Sequence, residues 1–195
     1  MPRAAWWGGF YERLVRSVKN HLKRTLGRAR LTHEELETVL AEVEAVINSR
    51  PITFIYSKPA EGSILTPAHF LVGKRLTTLP DGAITAVQAG RDELTRRFEF
   101  RTKLINGFWS RWKREYLLQL KSAHTVNQPK KVQFVSVGDV VLLGEEKLPR
   151  QQWKTARVQE LVQGRDGRCR SVILKTPNGN VLRSAVQQLY PLEIV

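Results

Sequence analysis

The chain has 195 residues, 32 Lys and Arg against 18 Asp and Glu, and a formal net charge of +14, which allows one domain or two small ones. No apolar run approaches the ~18–20 residues of a membrane span, residues 1–9 lack the apolar stretch of a secretory signal, and the single cysteine, Cys169, excludes an internal disulfide. With four scattered His, no compact zinc site, no Gly-rich phosphate loop and no Gly-x-Ser-x-Gly elbow, the composition argues against a self-contained hydrolase, dehydrogenase or nucleotidase and for a polyanion-binding module.

Residues 1–30 carry eight bases and one acid, Glu12. The spacing predicts an amphipathic helix over 10–26, with Phe10, Leu14, Val18, Leu22 and Leu26 as its apolar stripe. Gly8 and Gly9 break the chain before it, and Gly27 stops it. At about 100° per residue, Glu12, Arg16, Lys19 and Lys23 fall within about 60° of one another on the opposite side. One carboxylate thus opens a basic ridge, which Arg28 and Arg30 prolong in sequence. On spacing alone, Glu12 and Arg16 also read as an i,i+4 ion pair, worth only ~0.3–0.5 kcal/mol.

Residues 31–48 reverse the sign, with five Glu and no Lys or Arg. Thr32 and Glu35 form a capping box for a helix whose expected buried face is Leu36, Val39, Leu40, Val43 and Ile47. It ends before Pro51, because the residue preceding a proline is pushed out of helical backbone. Glu34, Glu35 and Glu37 lie near the positive end of its macrodipole, where acids are favoured. Residues 51–90 are expected to be irregular, apart from a short helix opening at Thr66-Pro67. A long helix follows over 91–120, with a bend expected at Asn106-Gly107. Leu94, Phe98, Ile105, Trp109, Trp112, Tyr116 and Leu120 form its seam, and Arg96, Arg97, Arg101, Arg111, Lys113 and Arg114 surround it. Polar residues 121–131 read as a linker, and His33 and His69 have no ligand partners at a useful spacing.

From residue 132 the hydrophobic period shortens to that of strands, expected at 140–143, 153–158, 171–176, 181–183 and 189–192. Pro177-Asn178-Gly179-Asn180 is the strongest hairpin signal. Five short strands imply a small closed barrel, since closure removes exposed edges. This region carries Lys154, Arg157, Arg165, Arg168, Arg170, Lys175 and Arg183. Three or four of them on one face would bind phosphate backbones with little base preference; solvated charges on a protein-docking barrel are the alternative.

Three segments together resemble a known family. Trp6-Trp7-Gly8-Gly9-Phe10-Tyr11-Glu12-Arg13, continuing to Lys19, resembles the last catalytic motif of a retroelement integrase core. Asn48-Ser49-Arg50-Pro51 and Leu65-Thr66-Pro67-Ala68-His69-Phe70 resemble the end of that core. Phe108-Trp109-Ser110-Arg111-Trp112, Gly138-Asp139-Val140-Val141 and Leu189-Tyr190-Pro191-Leu192 resemble the domain that follows the core in BEL/Pao-type LTR retrotransposons.

The resemblance implies an RNase-H-like core in which Asp, Asp and Glu hold two Mg or Mn ions about 3.5–4 Å apart for phosphoryl transfer. Glu12 matches the third carboxylate, and Arg16 and Lys19 match basic positions that in related integrases contact the element's DNA end. The family's two Asp precede that Glu, and 11 residues stand before Glu12 here. Asp81, Asp92, Asp139 and Asp166 all follow it, in segments that match other parts of the family. As it stands the chain is therefore expected not to be an enzyme and to hold no cofactor.

The expected fold is α+β, a helical N-terminal part followed by a five-stranded SH3-like barrel. Residues 1–78 would be the core remnant, 79–131 a basic helical connector and 132–195 the barrel. The expected function is DNA binding within DNA integration, mainly through phosphates, at Arg16, Lys19, Lys23, Arg28, Arg30 and the seven barrel bases. The alternative is a protein-interaction module for integrase multimerisation or chromatin tethering. DNA and other integrase subunits are the expected partners, with no membrane and no small-molecule cofactor. Nuclear location follows from that role, cytoplasmic otherwise, and not secreted.

Overall fold

The computed structural model describes residues 9–27, 30–54, 64–76, 91–127, 135–145, 148–165 and 167–192. Their order is α1 (Gly9–Leu26), α2 (His33–Asn48), β1 (Thr53–Phe54), β2 (Ile64–Leu65), α3 (Pro67–Val72), α4 (Arg91–Asn127), β3 (Val140–Leu143), β4 (Thr155–Gln163), β5 (Cys169–Lys175), β6 (Val181–Ala185) and β7 (Leu189–Pro191). The fold is α+β, with the helices first and an antiparallel five-stranded sheet last. Two compact units interleave along the chain: Met1–Glu44 with Pro80–Arg114, and Ala45–Leu79 with Glu115–Val195. Neither coincides with one of the three sequential regions read from the sequence.

In the first unit, α1 buries Ser17 and His21, while Leu14, Val18, Leu22 and Leu26 are only half-buried. The expected stripe is therefore shifted, for a geometric reason: a strict four-residue spacing advances about 400° and drifts about 40° per step around a straight helix. The His21 ring stands edge-on to Phe108 and Trp112, with centroids 6.1 and 6.4 Å away. The capping box of α2 forms as expected: Thr32 N–H donates to Glu35 Oε2 at 2.8 Å and Glu35 N–H to Thr32 Oγ1 at 3.3 Å. The Thr32 N–H holds the Glu35 carboxyl below its ordinary range.

The buried face of α2 is Val39, Val43, Val46 and Ile47, whereas Leu36 and Leu40 are exposed. This corrects the expected face. Glu35 and Glu42, beside that buried face, pair with Arg97 and Arg101 of α4 at 3.6 and 3.5 Å. Periodicity locates a stripe but not its edges.

The α4 helix runs unbroken through Asn106-Gly107, with Thr25 of α1 facing Gly107. A mid-helix glycine costs about 1 kcal/mol, less than is gained by burying Leu104, Ile105, Phe108, Trp109 and Trp112 around it. The helix also continues to Asn127, into the stretch read as a linker, because extending a formed helix needs no new nucleus. Lys113, expected on the outside, is buried with its ammonium 5.8 Å from the Trp109 ring centroid.

In the second unit, β1 and β2 pair as a two-stranded ribbon, Thr53 opposite Leu65 and Phe54 opposite Ile64, within a segment expected to be irregular. Two-residue strands carry no period to read. Thr66 caps α3 with Pro67 first, as expected, and His69 completes the cap, its Nδ1 accepting from the Thr66 N–H at 3.1 Å. This imidazole does what Glu or Gln does in an ordinary capping box.

The sheet order is β6-β5-β4-β3-β7, antiparallel throughout: a four-strand meander whose fifth strand returns to pair with the first. Its core is Val135, Val141, Leu143, Ala156, Val158, Val172, Leu174 and Leu189. The β5–β6 hairpin turns where expected: Thr176 N–H donates to Asn180 O at 2.9 Å, and Gly179 takes φ 83, which an L side chain resists. Gly144 is required sterically, since a Cβ there would lie 2.9 Å from the Tyr190 ring. The five strands form one sheet, and among the described residues no hydrogen-bonded ladder joins β6 to β7. The edge hazard that motivated closure is met locally, by Pro191 in the end strand β7. In β4, a bulge between Val158 and Glu160 interrupts the alternation, so the strand runs past the expected end at 158.

Tyr116 ties three segments of this unit together. Its hydroxyl donates to Pro51 O and its ring stands edge-on to Trp153 at 5.6 Å. Burial pushes the phenol up to about 12, with the nearby Arg50 guanidinium opposing. An unfolded Tyr releases its proton near ~10, so the unfolded state sheds it first and stability falls as pH rises from 10 towards 12. Tyr116→Phe should therefore cost about 1 kcal/mol at neutral pH. In thermal melts it should also flatten the decline above pH 10 relative to the parent chain.

Candidate nucleic-acid interface

The ridge expected on α1 is present. Glu12, Arg16, Lys19 and Lys23 are all exposed, on the side opposite Ser17 and His21. At ~1.5 Å per residue, Arg16 to Lys23 covers roughly 10 Å of helix. Arg13 and Arg24 are exposed as well and widen the cationic arc; a single-meridian reading misses them because they lie about 100–120° from Glu12. Glu12 in the first turn and Lys23 and Arg24 in the last also complement the helix dipole. Arg30 is exposed beyond the helix. Arg28, Trp6 and Trp7 lie outside the described residues.

The seven bases of the sheet region separate into three groups. Arg157 of β4 is the direct ladder partner of Lys175 of β5, both exposed on the outward face. Arg183 of β6 pairs with Ile173, two residues from Lys175, and so joins them on that face. Its Nε and Nη2 donate to Ser171 Oγ at 3.1 and 2.9 Å, which fixes the guanidinium by bonds that leave its charge intact. Val140 and Val181 flank the row, and Glu160 lies opposite Ile173 on the same face. Arg165, Arg168 and Arg170 are exposed around the β4–β5 turn, roughly 20 Å from Arg157 at ~3.3 Å per residue. Lys154 is paired with Glu145 at 2.6 Å. Three of the seven therefore converge, and the register, invisible in the sequence, decides which three.

The arrangement of Arg157 and Lys175 is electrostatically unfavourable in isolation, because like charges directly opposite one another in a ladder destabilise it. A bound anion between them would turn that repulsion into attraction. What the cations of this face offer chemically is a place for negative charge.

Glu12 stands among bases, and no group of three His, Cys, Asp or Glu that could hold a metal ion occurs among the described residues. Asp139 serves its own turn, accepting from the Ser136 N–H at 2.7 Å. No described helix is long and apolar enough to cross a membrane.

Residues 96–192, just under half of the chain, match a family described as a family of unknown function (DUF5641). The match takes in most of α4 and the whole sheet. Neither the curated proteins nor the solved structures contain a match to the chain.

Because Arg157 and Lys175 oppose each other, Arg157→Gln should raise stability slightly, by up to ~0.5 kcal/mol at low salt. The gain should shrink as salt screens the pair. Chemical denaturation of both forms at 20 and 300 mM NaCl checks this; a loss of stability at both would show that Arg157 has a favourable partner.

Proposed function

We propose that the chain is the DNA-binding portion of a retrotransposon integrase, gripping the phosphate backbone through the sheet face and the α1 ridge. The observation that carries the reading is the outward pair Arg157 and Lys175, directly opposed in the ladder, with Arg183 in the next row of the same face; a polyanion would relieve the opposition of the pair. The α1 ridge of Arg16, Lys19 and Lys23 supports it, as does the net charge of +14. The resemblance to BEL/Pao-type integrases supplies the context. In that context Glu12 holds the place of the third carboxylate, but two-metal transfer needs the two Asp that the family carries before it. The role proposed for this chain is DNA binding, with DNA and other integrase subunits as partners and the nucleus as its place of action.

A second reading, a protein-interaction module, is favoured by one observation. The acidic helix α2 exposes Leu36 and Leu40 beside Glu37 and Glu44, and α3 exposes Phe70, Leu71 and Val72. Apolar side chains next to acids suit a protein surface better than a nucleic acid.

Salt titration separates the two. Log affinity for duplex DNA should fall linearly with log salt, each neutralised phosphate adding about −0.9 to the slope. Substituting Arg157, Lys175 and Arg183 together by Gln should make the slope shallower by up to ~2.7 and weaken duplexes of unrelated sequence alike. A flat salt dependence in the parent chain refutes the DNA reading. An unchanged slope in the triple variant removes the sheet face from it.

A further inference from the structure

The last turn of α3 is an apolar surface that the DNA reading does not use. Phe70, Leu71 and Val72 are 73%, 65% and 55% exposed, although side chains of this kind are usually covered. Successive residues of a helix turn about 100°, so the three span about 200° and form a knob rather than a stripe. The knob is held by its ends. Thr66 and His69 cap the start of α3, and Gly73, at φ 71, closes it by donating its N–H to His69 O at 3.2 Å. A consecutive run of exposed apolar side chains on a capped turn marks a docking surface. Its surroundings are positive: residues 64–76 contain no acid, and Lys74 is exposed directly after the cap.

The α2 helix carries the opposite combination. Leu36 and Leu40 are exposed and share an arc of about 100° with Glu37 and Glu44, which are exposed as well. The acids of this flank are additional to Glu35 and Glu42, which pair with α4. Sign and polarity together select the occupant of the knob. A phosphate backbone offers no apolar counterpart to Phe70. The α3 knob of a second copy would bring Lys74 against Lys74. The α2 flank of a second copy brings two leucines for the knob and two carboxylates for its cationic border.

We propose that α2 of one copy docks on the last turn of α3 of another, joining chains head to tail. The proposal rests on the protein-interaction reading and names its partner as a second copy of this chain. The two surfaces differ, the α2 flank belonging to the first compact unit and α3 to the second. A joined pair therefore keeps one free surface of each kind, and such a contact grows into rings or open chains. Each patch is a few side chains, small beside the ~1,600 Å² of a stable interface, which sets the affinity in the micromolar range or weaker.

The test is sedimentation equilibrium of the full chain over a concentration series, with nucleic acid removed so that no polyanion bridges the copies. The average mass of the parent chain should rise past that of a dimer. Leu40→Glu and Phe70→Glu change exposed positions, so both should melt as the parent does while associating about tenfold more weakly or worse. An equal mixture of the two keeps one intact flank and one intact knob, and should form dimers and nothing larger. Glu44→Lys and Lys74→Glu should each weaken association alone and restore it when combined in one chain. A parent chain that stays monomeric overturns the proposal and leaves the protein-interaction reading to partners other than itself. Association undiminished in both apolar variants overturns it by placing the self-contact elsewhere, and a mixture that stays monomeric overturns the head-to-tail pairing.

Discussion

Much of this chain depends on one line of aromatic side chains along α4. Phe108, Trp109 and Trp112 are buried in the first compact unit, and Tyr116, one turn after Trp112, is the tie within the second. Four aromatics within nine residues thus fall on one short stretch of helix, three in the first unit and one in the second. The surroundings are arranged to serve it. His21 turns its edge to Phe108 and Trp112, Lys113 lays its ammonium over Trp109, and Trp153 meets the Tyr116 ring. The polar tip of Tyr116 finds a carbonyl, as a buried phenol must. A chain with 32 bases has little apolar surface to spare, and concentrating it in large rings is an economical way to build a core.

The remaining surface is organised by charge. The acids of α2 that face α4 meet Arg97 and Arg101, so part of the positive charge of α4 is balanced within its own unit. On the outward sheet face the balance is incomplete: Glu145 answers Lys154, and Ser171 braces Arg183, but Arg157 and Lys175 face each other. The contrast between a braced cation and an opposed pair is what distinguishes this face from a generally basic exterior. It is also why position on the ladder matters more here than the number of bases.

Local chemistry was the most legible part of the sequence. Thr32 and Glu35, Thr66-Pro67 and Pro177-Asn178-Gly179 act through neighbours a few positions away, and each appears where its residues place it. The exposed α1 ridge was legible too, because a helix converts spacing directly into direction. Long-range choices were not. Leu40 is exposed, while Glu35 and Glu42 of the same helix meet residues more than fifty positions away, a pairing that spacing within the helix cannot show. Lys113 is buried because a tryptophan lies under it, and composition alone cannot distinguish that lysine from Arg111 or Arg114. Likewise, seven bases in the sheet region give no hint that Arg157 meets Lys175 while Arg165 and Arg168 end at the far turn. That depends on register, including the bulge at Val158 and Glu160.

The end strand β7 has a consequence for behaviour at high concentration. An open ladder offers its outermost backbone groups to any passing chain, and strand-to-strand recruitment is the usual route to fibres. Pro191 has no N–H to donate and sits in the β3–β7 register opposite Val141. The outer rim of this sheet is therefore chemically blunt at one end. At the other, β6 presents Arg183 at its centre, and a second copy approaching it would bring an identical cation. Each rim thus carries a feature of the kind that opposes strand addition.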